Sequence, residues 1–150
     1  MSLFKLADDS EKQILSYLQL GEVLFATQSG EPLGQALILE HETGDAFELR
    51  SIAVVKSRQG QGIGGMLVRA AVRYCLAHDA RTLKVSTSIA DGNALGFYLR
   101  HGFRASSIIR DAFTRERGYP KYAGDTRILL NDAIELELDL NTFAARGARV

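Results

Sequence analysis

Between Glu48 and Val68 the chain passes from an apolar, strand-like run through a loop holding four glycines into a segment patterned as a helix. This junction restricts the possible folds more than any other stretch. Gly60, Gly62, Gly64 and Gly65 carry no Cβ, so the backbone there can adopt conformations closed to other residues and aim its N–H groups at a ligand. A helix starting near Gly62 places the positive end of its dipole at the same spot, which suits a phosphate or pyrophosphate. Leu83–Ser88 reads as the next strand. A strand–helix–strand unit of this kind needs a right-handed crossover, so the sheet turns parallel here.

The flanking segments fill in the rest of the sheet. Leu3–Leu6 reads as a short edge strand, and Ser10 as the cap of a helix whose apolar residues Ile14, Leu15 and Leu18 recur at helical spacing until Gly21. Glu22–Gln28 and Leu33–Glu40 read as strands joined by the turn Ser29-Gly30-Glu31-Pro32, and Phe47–Val55 follows after Glu42-Thr43-Gly44-Asp45. Short connections imply an antiparallel meander. Ile63, Met66, Leu67, Ala70, Ala71 and Tyr74 form the apolar stripe of a helix running to about Asp79. A shorter helix opens at Asp91 or Gly92 and ends at His101, with Gly102 in the position that favours a left-handed residue. Arg104–Arg110 and Arg127–Leu140 contain the last strands, and Asp111–Asp125 between them is irregular and rich in aromatics and charge. The expectation is a mixed α/β fold over residues 1–150 as one domain: a meander, then βαβα, then carboxyl-terminal strands.

Composition removes several function classes. The 18 basic and 18 acidic residues balance and are scattered, so no electrostatic footprint for nucleic acid stands out. Cys75 is the single cysteine and sits in an apolar helix, which excludes an intramolecular disulfide framework and a cysteine zinc cluster; no metal is expected. No apolar run approaches the ~20 residues that span a bilayer, and Met1–Lys12 lacks the pattern of a signal peptide, so no membrane role and a cytoplasmic location are expected.

The segment Gly60-Gln61-Gly62-Ile63-Gly64-Gly65 matches the glycine spacing of dinucleotide-binding loops. However, the following strand ends in Ser86-Thr87-Ser88 where an acidic ribose-binding residue belongs, and four residues separate the first strand from the glycines. A Walker A loop fails as well, because Met66-Leu67 follows Gly65. A glycine-rich turn chosen only for tight packing is the bland alternative. Gln59-x-x-Gly62-x-Gly64 resembles the acyl-CoA pyrophosphate loop of the GNAT superfamily of N-acetyltransferases. Asp91 through Phe103 resembles that family's later motif N-x-x-A-x-x-F-Y-x-x-x-G-F, with Ala94, Phe97, Tyr98, Gly102 and Phe103 in register and Asp91 in place of its asparagine. A fainter likeness, from Arg110 through Tyr122, is to the bacterial aminoglycoside 6′-N-acetyltransferase-like group.

The resemblance implies a GNAT fold and acetyl-CoA as cosubstrate. It implies that Ile52, Ala53 and Val54 bond the pantetheine arm and thioester through their main chain, and that Gln59 and the N–H groups of Gly60, Gln61, Gly62, Ile63, Gly64 and Gly65 hold the pyrophosphate. Asp91 or Asn93 would touch the pantetheine with Phe97 packed beside it, helix capping being the competing reading for the first two. Transfer from a thioester to an amine needs a neutral amine and a proton for the thiolate, but no covalent nucleophile. Strand alternation places Glu48, Arg50, Ile52 and Val54 on one face. By the resemblance Glu48 is the general base, directly or through water, and Tyr98 the general acid; an ion pair with Arg50 and plain packing are the competing readings. Asp111, Phe113, Tyr119, Tyr122 and Asp125 would wall the site of a small-molecule or peptide amine, and His41, His78 and His101 read as surface or cap residues. A strand edge near the carboxyl end offers a second copy a place to pair as a homodimer. A non-catalytic acyl-CoA-binding or regulatory module and a nucleotide-binding module are the rival functions.

Overall fold

A computed structural model describes residues 2–142. The elements in chain order are helices α1 (Ser2–Ala7) and α2 (Glu11–Tyr17), strands β1 (Glu22–Gln28), β2 (Glu31–Glu40) and β3 (Ala46–Val54), helix α3 (Ile63–Ala77), strand β4 (Thr82–Ser88), helix α4 (Gly92–Arg100), and strands β5 (Arg104–Ile109) and β6 (Ala133–Asp139). The strands form one sheet in the order β1-β2-β3-β4-β6-β5. Among the described strands, only β3 and β4 pair in parallel, as the crossover through α3 requires; the other neighbours are antiparallel. The outer strand β5 is exposed along its whole length.

Two apolar clusters sandwich the sheet. Leu67, Val68, Ala71, Val72 and Cys75 of α3 pack on Ala36, Ile38, Phe47, Leu49 and Leu83 of the strands. Met66, expected in this stripe, is 55% exposed instead, because the buried arc of α3 is centred one residue later on Leu67 and Val68. On the opposite face Phe4, Ile14 and Tyr17 cover Leu37. Residues Leu3–Leu6 are therefore helical rather than an edge strand: four apolar-rich residues carry no usable periodicity, and docking of Phe4 beside Ile14 selects the helix. Ser10 caps α2 as its sequence position suggests, accepting from the Gln13 amide at 3.2 Å. Its hydroxyl also donates to the Arg117 carbonyl, which ties the irregular segment to α2.

The β1–β2 turn consists of Ser29 and Gly30 alone, with φ of 52° and 81°, the pair of positive angles that matches strand twist in a two-residue hairpin. Glu31 and Pro32 already belong to β2, and Pro32 is tolerated there beside a bulge at Ala26 and Thr27. A second irregularity matters more. Leu37 pairs with Ser51 and Ile38 pairs with Leu49, so Arg50 is an extra residue in β3. Cross-strand partners share a face, and the extra residue reverses the alternation. Glu48, opposite Leu39, lies on the α1–α2 face, whereas Ile52 and Val54, opposite Ala36 and Gly34, lie on the α3 face. The single shared face expected from alternation does not survive the bulge.

Cys75 is fully buried, and burial pushes its thiol from 9.0 up to about 12. In the unfolded chain the thiol ionises near its ordinary value. A raised folded-state pKa means that its contribution to stability is complete below about pH 9 and is lost as pH rises toward 12. In urea titrations the stability gap between wild type and Cys75→Ala should narrow from about pH 8 to about pH 11. A gap that stays constant with pH would contradict the buried-thiol account.

Candidate active site

The site begins where β3 and β4 part. They pair only through Ala46, Phe47 and Glu48 against Thr82, Leu83 and Lys84. Beyond Glu48 the strands diverge, leaving the β4-facing peptide groups of Ser51 to Val54 without a strand partner. A cavity of about 710 Å³ opens there, with Ile52, Ala53 and Val54 on one side and Asn93, Phe97 and Tyr98 on the other.

The glycine loop closes its far end, and the four glycines divide two tasks. Gly60 and Gly62 have φ of 79° and 83°, with empty space where a Cβ would sit, so they serve the backbone turn. Gly62 is the N-cap of α3, and the first helical bond runs from the Met66 amide to its carbonyl. The amides of Ile63, Gly64 and Gly65 therefore have no helical acceptor and line the cavity at the positive end of a 15-residue helix. Gly64 and Gly65 serve packing instead: a Cβ would lie 3.1 Å from the Phe97 ring at the first and 2.9 Å from the His101 ring at the second. Their absence of side chains lets α4 approach α3.

The polar residues beside the loop have defined partners. Gln59 donates from Nε2 to the Val54 carbonyl at 3.0 Å, tying the loop to the end of β3. Gln61 accepts from Arg58 Nε at 3.0 Å and lies off the cavity wall. Asp91 caps α4, accepting from the Ala94 amide at 3.0 Å, and also lines the cavity. Arg58, Arg69 and Arg100, none of them singled out from the sequence, surround the same cavity together with His101. Arg69 was within reach, lying one helical turn after Gly65; Arg100 and His101 arrive only because α4 packs against α3.

A second cavity, of about 350 Å³, adjoins the first, and both are walled by Arg50, Ser86, Thr87 and Asp91. Glu48 lines only the second and Tyr98 only the first. The Glu48 carboxylate is 3.7 Å from Arg50 Nη1 and 4.0 Å from His41 Nε2. Arg50 in turn lies 4.9 Å over the Tyr17 ring, whose hydroxyl donates to Asp8 at 3.2 Å. Tyr98 is 7% exposed and packs edge-on to Phe97 and Phe103. Burial first, and the Asp91 charge second, hold its phenol protonated above the ordinary tyrosine range.

Of the residues expected to wall an acceptor site, Phe113 and Tyr119 line the second cavity, packed edge-on with ring centres 5.0 Å apart. Asp111, Tyr122 and Asp125 do not reach it. Asp8 and Asp9 do, brought in by α1. Burial, then the charges of Asp8 and Asp91, raise the Asp9 pKa above its ordinary value. His78 and His101 are the C-caps of α3 and α4, in keeping with their reading as cap residues, and His78 stacks on Tyr74; His101 also lines the first cavity and His41 the second.

The sequence profile of the acetyltransferase (GNAT) family matches residues 4–103. An uncharacterised N-acetyltransferase of Bacillus subtilis (strain 168), YvbK, is 30% identical over 138 residues, covering 92% of this chain and 87% of the relative. Among solved structures, a GNAT family acetyltransferase from Elizabethkingia anophelis with acetyl-CoA bound superposes with a TM-score of 0.83 at 28% identity, covering 92% of this chain and 88% of that one. An IAA acetyltransferase from Bacillus cereus ATCC 14579 gives 0.82 at 35% identity, covering 92% and 90%.

Proposed function

The chain belongs to the acetyltransferase (GNAT) family of acetyl-CoA-dependent N-acetyltransferases, and on that premise we propose that it acts as one domain moving an acetyl group directly onto a primary amine of a small molecule or peptide. The observation that carries this reading is the pair of adjoining cavities, with Glu48 on the wall of one and Tyr98 on the wall of the other.

Acetyl-CoA lies in the larger cavity, its pyrophosphate at the amides of Ile63 to Gly65 and its pantetheine along Ile52 to Val54. The basic rim of Arg58, Arg69 and Arg100 adds positive charge for the phosphates. The amine enters by the smaller cavity, where Asp8, Asp9 and Glu48 beside Phe113 and Tyr119 favour a cation. Glu48 takes a proton from the ammonium, the freed lone pair attacks the thioester carbon, and Tyr98 protonates the departing sulfur. No side chain needs to be acylated. The buried Cys75 is out of reach of either cavity.

Release of CoA, followed across a panel of cationic, neutral and anionic amines, tests the reading. Turnover should be greatest with cationic amines, and acetyl-CoA should raise the melting temperature where NAD and ATP do not. Equal stabilisation by NAD, or acetyl-CoA binding with no turnover on any amine, would replace the transferase with a binding module.

A further inference from the structure

Acetyl transfer from a thioester to a primary ammonium leaves one proton over. The ammonium has three N–H bonds and the product amide has one. As the nitrogen lone pair forms the C–N bond and the C–S pair leaves with sulfur, one released proton replaces the one that Tyr98 gives to the thiolate, and the other must reach water. The second proton starts on Glu48, whose side chain is only 24% exposed. A base that keeps this proton is spent after one turnover.

Among the described residues, two basic side chains lie within 4.0 Å of the Glu48 carboxylate. Arg50 is 3.7 Å from Oε1, but a guanidinium stays protonated and cannot accept. His41 Nε2 is 4.0 Å from Oε2, and an imidazole both accepts and donates a proton near neutral pH. Its side chain is 40% exposed, so it stands between the carboxylate and bulk water. Both residues line the smaller cavity, His41 from the loop after β2 and Glu48 from β3. The His41 backbone amide donates to the Ala46 carbonyl at 2.9 Å, which anchors the main chain at this position and leaves the ring nitrogens free of that bond.

We propose that His41 relays the amine-derived proton from Glu48 to solvent, an inference that rests on Glu48 being the base. His41 acts through Glu48 and does not touch the amine. Its loss therefore slows proton exit without changing cosubstrate binding. In dilute, bulky buffer with saturating amine, His41→Ala and His41→Gln should each lower kcat about tenfold, less than the ~10²–10⁴-fold expected for a group acting on the substrate itself. KM for acetyl-CoA should not move. Free imidazole should restore kcat in His41→Ala, where the ring's space is vacated, and leave wild type unchanged. Full kcat in His41→Ala without imidazole overturns the relay, and so does a loss that imidazole fails to restore. Glu48→Gln, measured alongside, separates the two levels. If it is inactive while His41→Ala is fully active, Glu48 stands as the base and the relay alone fails; if it is fully active, the assignment of Glu48 itself is lost.

Discussion

Tyr98→Phe should lower turnover by ~10²–10⁴-fold while acetyl-CoA binds as before, because the ring keeps its packing and only the proton is removed. The ring sits between Phe97 and Phe103, and phenylalanine fills the same space. Burial keeps the phenol protonated through the neutral range, so wild type should show no falling limb from Tyr98 below about pH 10. Glu48→Gln should produce a loss of similar size with a different pH signature. An amide cannot accept the ammonium proton, so the defect is greatest where the amine is charged and shrinks as pH approaches the amine's own pKa. A strongly basic amine should accordingly suffer more than a weakly basic one. Single-turnover rates and CoA affinity, measured on both variants, check these outcomes. Turnover unchanged in both with a good acceptor would return Glu48 to its ion pair with Arg50 and Tyr98 to packing.

Replacing Gly62 with valine should raise the Kd for acetyl-CoA roughly 10–100-fold. The residue holds φ of 83°, and a β-branched side chain there costs about 1–3 kcal/mol of backbone strain, which the exposed loop relieves by turning its amides away from the phosphates. Because nothing lies within 4 Å of the added Cβ, the strain stays local to the loop, and the unliganded domain should lose no more than a few degrees of melting temperature. Gly64→Val reaches a similar loss by another route. Its Cβ would sit 3.1 Å from the Phe97 ring, so α4 must shift and the pantetheine wall moves with it. This variant should also lower the melting temperature of the unliganded protein. Calorimetric titration and thermal melts distinguish the two, and undiminished affinity in folded Gly62→Val would remove the loop from the cosubstrate site.

Much of this was legible in the chain because it depends on near neighbours. Ser10 before the Ile14 stripe, Gly62 before Ile63, and Gly102 after His101 each set a helix boundary by local hydrogen bonding or backbone freedom. The spacing from Gln59 to Gly64 and from Asp91 to Phe103 was enough to suggest the family, and the crossover rule fixed β3 and β4 as parallel neighbours. Tertiary structure decided where those residues point and what they meet. Local alternation put Glu48 with Ile52, but Arg50 becomes an extra residue only against the register of β2, and that pairing sends the two to opposite faces. His41, Arg100 and the Asp8–Asp9 pair entered the cavities because distant segments pack together, and α1 became a helix because Phe4 found Ile14 and Leu37. Periodicity and capping are set by chemistry within a few residues. Register, strand splay and the meeting of two cavities are set by contacts between residues far apart in the chain, and no local pattern encodes them.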